Sequence, residues 1–130
     1  SMATFKTLVD IIVWQKAKAF HLELKTEIKI LIQAKDYELK EQLKASSGSV
    51  MDNIAEGFGR MGNIEFKNFP TISNGSLQES ISQLYRLFDY DYITNERLDY
   101  LKNLANEISR LLRSLIESLQ ASELRGIKFK

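Results

Sequence analysis

The stretch Leu98–Leu119, "LDYLKNLANEISRLLRSLIESL", decides the fold. Leu98, Leu101, Ala105, Ile108, Leu112, Leu115 and Leu119 step by three and four over three heptads. That spacing gathers side chains onto one face only if the backbone is an α-helix. Leu104, Leu111 and Ile116 lie just beside the seam, so the apolar face is wider than one seam needs. A bundle helix in a monomer needs one buried stripe. The second edge, Leu104, Leu111 and Ile116, therefore predicts a further buried face between subunits. Thr94 stands before the stretch as an N-cap, where its hydroxyl can accept a free backbone N–H.

The same period runs back along the chain. Trp14, Ala17, His21, Leu24, Ile28 and Leu31 form one stripe, widened by Val13 and Phe20, with Asp10 as the expected cap. A second segment starts near Asp36 and places Leu39, Leu43, Ser46, Ser47, Val50, Ile54 and Phe58 on one face. Its middle, "ASSGSV", is rich in small residues. Either these let another helix approach closely, at a helix cost of about 1 kcal/mol for Gly48, or residues 45–49 form a loop. A third segment follows Gly62 with Asn63 as cap, and its stripe is Phe66, Phe69, Ser73, Leu77, Ile81, Leu84 and Phe88. Pro70 lacks an N–H and crowds the Phe66 carbonyl, which predicts a kink there, or a first short turn ending at Phe69. Four helices of similar length with short polar connections make an all-α fold, an antiparallel up-down four-helix bundle. It is one domain over residues 1–130, with an N-terminal extension at 1–9 and a C-terminal tail at 121–130.

The totals agree. The 130 residues suit one domain, and 44% apolar with 27% charged residues is the balance of a globular chain rather than a disordered one. The absence of cysteine excludes disulfides, thiolate metal sites and cysteine nucleophiles, and fits a cytoplasmic location. No apolar run approaches the roughly 20 residues of a membrane span, and no signal-peptide pattern opens the chain. The net charge of +1 is unevenly spread: residues 1–34 and 97–130 are basic, while residues 35–96 carry six cations against ten acids. Any nucleic-acid binding must then come from a local patch. The candidates are Lys18, Lys25 and Lys29 on the first helix and Arg110 and Arg113 on the last, followed by Arg125, Lys128 and Lys130.

Three blocks carry a family likeness: "VWQKA" (Val13–Ala17), "NIAEGFGR" (Asn53–Arg60), and "EF" followed by "GSLQE" (Glu65–Phe66 and Gly75–Glu79). In this order and at these distances they resemble the bacterial four-helix-bundle family also called the 23S rRNA intervening-sequence protein family. Its pattern runs close to VWQKA, then SIxxNIAEGxGR, then KEFxxFLxxAxGSLxE. The likeness covers roughly residues 8 to 119. The chain departs from it at Pro70 and Ser80, where the family usually has leucine, and near Lys44–Ser46, where it usually has a further basic residue. The resemblance implies a small cytoplasmic protein, a ring-shaped homopentamer and no catalytic activity. One branch is encoded inside insertions in large-subunit ribosomal RNA genes. Another serves diversity-generating retroelements as an accessory that binds a reverse transcriptase and nucleic acid. The family-motif residues here are Trp14, Gln15, Asn53, Glu56, Gly57, Gly59 and Arg60.

Each of these also has a purely structural reading. Gly57 or Gly59 can take the left-handed position that ends a helix, with Arg60 at the negative end of the dipole and Asn53 and Glu56 binding helix-end groups or a neighbouring helix. The glycines follow a helix rather than precede one, which is the wrong side for a phosphate cradle. The functional alternative has Arg60 meeting phosphate as a planar fork. His21, the only histidine, reads as a hydrogen-bonded seam residue, since a lone histidine is a poor metal signal. Trp14 reads as core, against base stacking. No nucleophile–base pair, Glu-x-x-His pair or phosphate loop appears, so neither an enzyme nor a cofactor or metal is expected. The reading is a non-enzymatic homo-oligomer that binds RNA, DNA or a nucleic-acid enzyme such as a reverse transcriptase. The alternative is a structural adaptor oligomer with a protein partner and no nucleic-acid contact.

Overall fold

Helical spacing along the chain becomes five α-helices in a computed structural model that describes residue 8, residues 11–59 and residues 68–128, with side chains to residue 121. They are α1 (Ile12–Glu23), α2 (Lys25–Gln33), α3 (Tyr37–Gly59), α4 (Asn68–Asp89) and α5 (Asn95–Lys128). Helices α1 and α2 are one arm. Leu24 between them keeps right-handed helical angles, and its carbonyl accepts the Ile28 N–H at 2.9 Å. The first segment thus runs as the sequence reads, loosened only at Leu24. The N-cap of α1 is Ile11, in extended conformation and without a side-chain cap bond. Asp10, the expected cap, lies outside the described residues.

Four arms give the bundle. Helix α3 packs on α4, α4 on α5, and α1 on both α3 and α5. The antiparallel register of α1–α2 and α5 is read from two contacts: Lys16 meets Glu107 at 3.1 Å, and Glu23 meets Arg97 at 3.0 Å. The core fills largely with the expected stripes: Val13, Ala17, Phe20, Leu24 and Leu31; Leu39, Leu43, Val50 and Ile54; Leu77 and Leu84; Leu98, Leu101, Ala105, Ile108 and Leu112. On α4 it also takes Leu87, which the predicted stripe left out, while Ile81 and Phe88 are only half-buried. Burying each large aliphatic side chain contributes roughly 1.5–3 kcal/mol, which is what holds the helices together.

The two described turns are built alike. After α2, Lys35 N–H donates to the Ile32 carbonyl and Asp36 N–H to the Leu31 carbonyl; after α4, Asp91 donates to Phe88 and Tyr92 to Leu87. These are the paired bonds of a Schellman end, which needs a left-handed residue after the cap. Lys35 (φ 60°) and Asp91 (φ 61°) supply it without being glycine. Asp36 then caps α3, its Oδ1 accepting the Leu39 N–H at 3.2 Å, and Thr94 caps α5 by accepting the Arg97 N–H at 3.1 Å. Thr94 is the cap the sequence predicts, and Asp36 stands where the sequence starts the second segment.

Three expectations change. Residues 45–49 are helical throughout, so the loop reading of "ASSGSV" falls. Helix α4 opens, among the described residues, at Asn68 and continues unbroken through Pro70 to Asp89, so a first short turn ending at Phe69 is not what forms. Pro70 stands in the first described turn; Asn63, the expected cap, and Phe66, whose carbonyl the proline ring was expected to crowd, lie outside the described residues. Finally, α5 does not stop at residue 120: its backbone is helical to Lys128, through Gln120, Ala121, Glu123, Leu124 and Arg125, residue types that favour helix. The tail at 121–130 is therefore mostly an extension of α5.

Candidate functional site

The residues of the NIAEG block serve the packing of α3 on α4. Asn53 Nδ2 donates to the Ser49 carbonyl at 2.8 Å and to Ser49 Oγ at 2.9 Å, and Ser49 Oγ lies 2.9 Å from Ser76 Oγ on α4. Asn53 thus fixes the serine that joins the two helices, through bonds within its own helix rather than directly to a helix end or a neighbouring helix. Glu56 is exposed on the next turn. Gly57 is buried inside α3, and Gly59 is its last residue without a positive φ. Neither glycine takes the left-handed end position expected of it, because the helix runs through both. Arg60 lies outside the described residues.

The small residues continue this seam. Ser46 Oγ lies 2.8 Å from Ser80 Oγ and 2.6 Å from Gln83 Oε1, and Ser73 donates to the Val50 carbonyl at 2.9 Å. Ser46, Ser73, Ser80 and Gln83 are all buried. Hydroxyls replace an apolar seam, and they can do so only because each meets another polar group. Among the described residues no buried side-chain nitrogen or oxygen lacks a partner. Beside the seam opens a shallow groove of about 350 Å³ lined by Gln42, Ala45, Ser46, Ser49, Ser76, Glu79 and Gln83.

His21 sits on the other side of α3. Its Nδ1 is 2.7 Å from Ser47 Oγ, which also lies 2.8 Å from the Leu43 carbonyl. A carbonyl only accepts, so both contacts are satisfied when the hydroxyl donates to it and the imidazole Nδ1–H donates to Oγ. Burial pushes the imidazole below its usual value; Asp52 opposes that and Lys44 adds to it. Gly48 lies against the same ring: a Cβ there would stand 3.6 Å from His21 Cε1. His21 is the seam residue the sequence predicts.

Five of the candidate cations are exposed, and the side chains of Arg125, Lys128 and Lys130 lie outside those described. Lys18, Lys25 and Lys29 run along α1–α2, and Arg110 and Arg113 lie on α5. Among the described residues none of the five forms an ion pair. They are spread out rather than gathered in one patch. The antiparallel register puts Lys29 and Arg113 on opposite sides of the Lys16–Glu107 bridge, roughly 28 Å apart at 1.5 Å per residue. Trp14 is half-buried against the core, with Lys18 Nζ 5.5 Å from its ring centre, and Gln15 is exposed beside it. Of the expected interface edge, Leu104 and Leu111 are half-buried and already packed on the core of their own bundle, while Ile116 is half-buried without joining that core. The second apolar edge is therefore partly used within one subunit.

One cluster escaped the sequence reading. Glu27 is wholly buried, and Arg97 clasps it with Nε to Oε2 and Nη2 to Oε1, both at 3.0 Å. The same guanidinium reaches the Glu23 carboxylate and carbonyl, each at 3.0 Å. The hydrogen bond to Glu27 comes first among the causes that hold Arg97 protonated above its ordinary range. The signal was present: Glu27 stands between Leu24 and Leu31 on an apolar stripe, and a buried acid demands a partner.

Comparison with known proteins adds three findings. A family model described as 23S rRNA-intervening sequence protein matches residues 9–114. No curated protein matches the chain. A crystal structure of a protein of unknown function from the S23 ribosomal protein family of Bacteroides thetaiotaomicron is 27% identical, with a TM-score of 0.75, over 81% of this chain and 98% of that one.

Proposed function

The chain belongs to the 23S rRNA-intervening sequence protein family, and from that membership we infer a cytoplasmic, non-enzymatic, ring-forming helical bundle that binds nucleic acid or a nucleic-acid enzyme such as a reverse transcriptase. The observation that carries the reading is the set of exposed cations without ion-pair partners among the described residues: Lys18, Lys25 and Lys29 on the α1–α2 arm and Arg110 and Arg113 on α5. Spread along the α1–α2 arm and on α5, they suit a phosphate backbone better than a single compact ligand. Repetition around a homo-oligomer, five subunits by resemblance, lets weak contacts add through effective concentration. Ile116, half-buried without joining the core of its own bundle, is the part of the second apolar edge left for a neighbouring subunit. A ring requires a heterologous interface, α5 and α1 of one copy on another face of the next.

The test is a titration of structured ribosomal RNA at two salt concentrations, with light scattering on the same samples. The expected result is binding that weakens steeply as salt rises, by a factor that shrinks in a Lys18→Gln, Lys25→Gln, Lys29→Gln variant. Salt-independent association, or none, turns the reading to the adaptor alternative. A mass near the 15.0 kDa of one chain ends the ring.

A further inference from the structure

All five tyrosines fall in segments that meet at one end of the bundle. Tyr37 opens α3, Tyr85 and Tyr90 lie at the end of α4, Tyr92 is in the turn that follows, and Tyr100 is in the second turn of α5. Tyr92 ties the two turns together, donating to Asp36 Oδ2 at 3.1 Å, and its ring meets Tyr90 edge-on with centres 6.0 Å apart. The other four are not core residues: Tyr85, Tyr100, Tyr90 and Tyr37 are 43%, 47%, 53% and 54% exposed. Large amphipathic rings held on fixed helix ends supply contact area at little entropic cost, which is why tyrosine concentrates at protein interfaces.

The charge around these rings selects the partner. Residues 35–42 and 85–102 carry seven carboxylates and five cations. Four of the cations are engaged within the surface: Arg97 with Glu27 and Glu23, Lys40 with Glu41, Arg86 with Gln42, and Lys102 over the Tyr85 ring at 4.7 Å. Glu38, Asp89, Asp91, Glu96 and Asp99 face water. The end therefore repels phosphate. It also already holds cations on its rings, with Arg97 stacked over Tyr100 at 5.3 Å as well as Lys102 over Tyr85. Tyr37 and Tyr90, the two most exposed, carry no cation among the described residues.

We propose that Tyr37 and Tyr90, with the carboxylates Glu38, Asp89 and Asp91 beside them, form a docking surface for an arginine-rich segment of a partner protein. The planar guanidinium stacks on the ring while its edge donates to a carboxylate, a pairing that the more strongly hydrated ammonium of lysine makes less well. None of these residues belongs to the cation set of α1–α2 and α5, so the inference stands whether or not those cations bind nucleic acid.

The experiment is fluorescence anisotropy on the full chain with three labelled probes: a short arginine–glycine repeat peptide, the matching lysine–glycine repeat, and single-stranded oligo(dT). The arginine peptide is expected to bind more tightly than the lysine peptide. Tyr37→Ala and Tyr90→Ala should each weaken it roughly 2- to 5-fold, Tyr37→Phe and Tyr90→Phe should leave it, and Asp89→Asn with Asp91→Asn should weaken it again. Far-UV circular dichroism on each variant checks the fold. Equal binding of the two peptides, arginine-peptide binding unchanged by the alanine variants, or alanine variants that lose oligo(dT) rather than the peptide, would each overturn the proposal.

Discussion

Arg97 and Glu27 form a two-pronged ion pair, both contacts 3.0 Å, on a glutamate that has no exposed surface. The pair bolts the start of α5 to α2 across seventy residues of sequence. It bears on stability in an asymmetric way, because removing one partner strands a buried charge while replacing both removes the desolvation as well. Arg97→Ala is expected to lower unfolding free energy by about 3 kcal/mol, at the low end of the range because the arginine is a quarter exposed. Arg97→Lys should fall between, having lost the fork. Urea denaturation of the variants decides: an Arg97→Ala midpoint equal to that of the parent would remove the pair from any role in stability.

Lys35 and Asp91 hold left-handed backbone at φ 60° and 61°, conformations that cost an L-residue roughly 1–2 kcal/mol. Glycine avoids that strain but adds freedom to the unfolded chain, an offset of roughly 0.5–1 kcal/mol. Lys35→Gly and Asp91→Gly should therefore each stabilise by up to about 1 kcal/mol. Thermal unfolding measures it, and a lowered midpoint in both would contradict the account of the turns.

Gly48 and Gly75 are helical glycines with room for a methyl group. At Gly48 a Cβ meets His21 at ordinary contact distance, 3.6 Å, and at Gly75 it meets nothing within 4 Å. Each change to alanine should raise stability by roughly 0.5–1 kcal/mol through helix propensity. Gly48→Leu should do the opposite, because the extra atoms must displace the His21 ring from Ser47. Calorimetry on the two alanine variants is the check: destabilisation by Gly75→Ala would mean that something outside the described residues lies against that surface.

His21 makes stability depend on pH. Its folded-state pKa is depressed by burial, so the unfolded chain takes up the proton first as pH falls through the ordinary imidazole value of 6.5. Stability is expected to be full above that value and to decline below it. In His21→Gln the slope of unfolding free energy between pH 7 and pH 5 should flatten. An unchanged slope would assign the acid sensitivity elsewhere.

What the sequence by itself determined is the course of the helices. Apolar steps of three and four specify which face of α3, α4 and α5 is buried, since burial is set by side-chain chemistry repeated along one element; Asp36 and Thr94 mark two helix starts because capping is local as well. The family, too, was legible in VWQKA and NIAEGFGR. The tertiary structure alone decided how those motif residues work. Asn53 acts through Ser49 on Ser76, and Ser46 through Ser80 and Gln83, contacts that join positions far apart in the chain and that no periodicity encodes. The same holds for Glu27, whose partner lies seventy residues away, and for Leu104 and Leu111, which the sequence sets beside the seam but packing draws halfway into it. Glycine is a permissive residue rather than a stop signal. Lacking a turn to form, Gly57 stayed in the helix, and the left-handed turns fell to Lys35 and Asp91, where helix ends had to be closed.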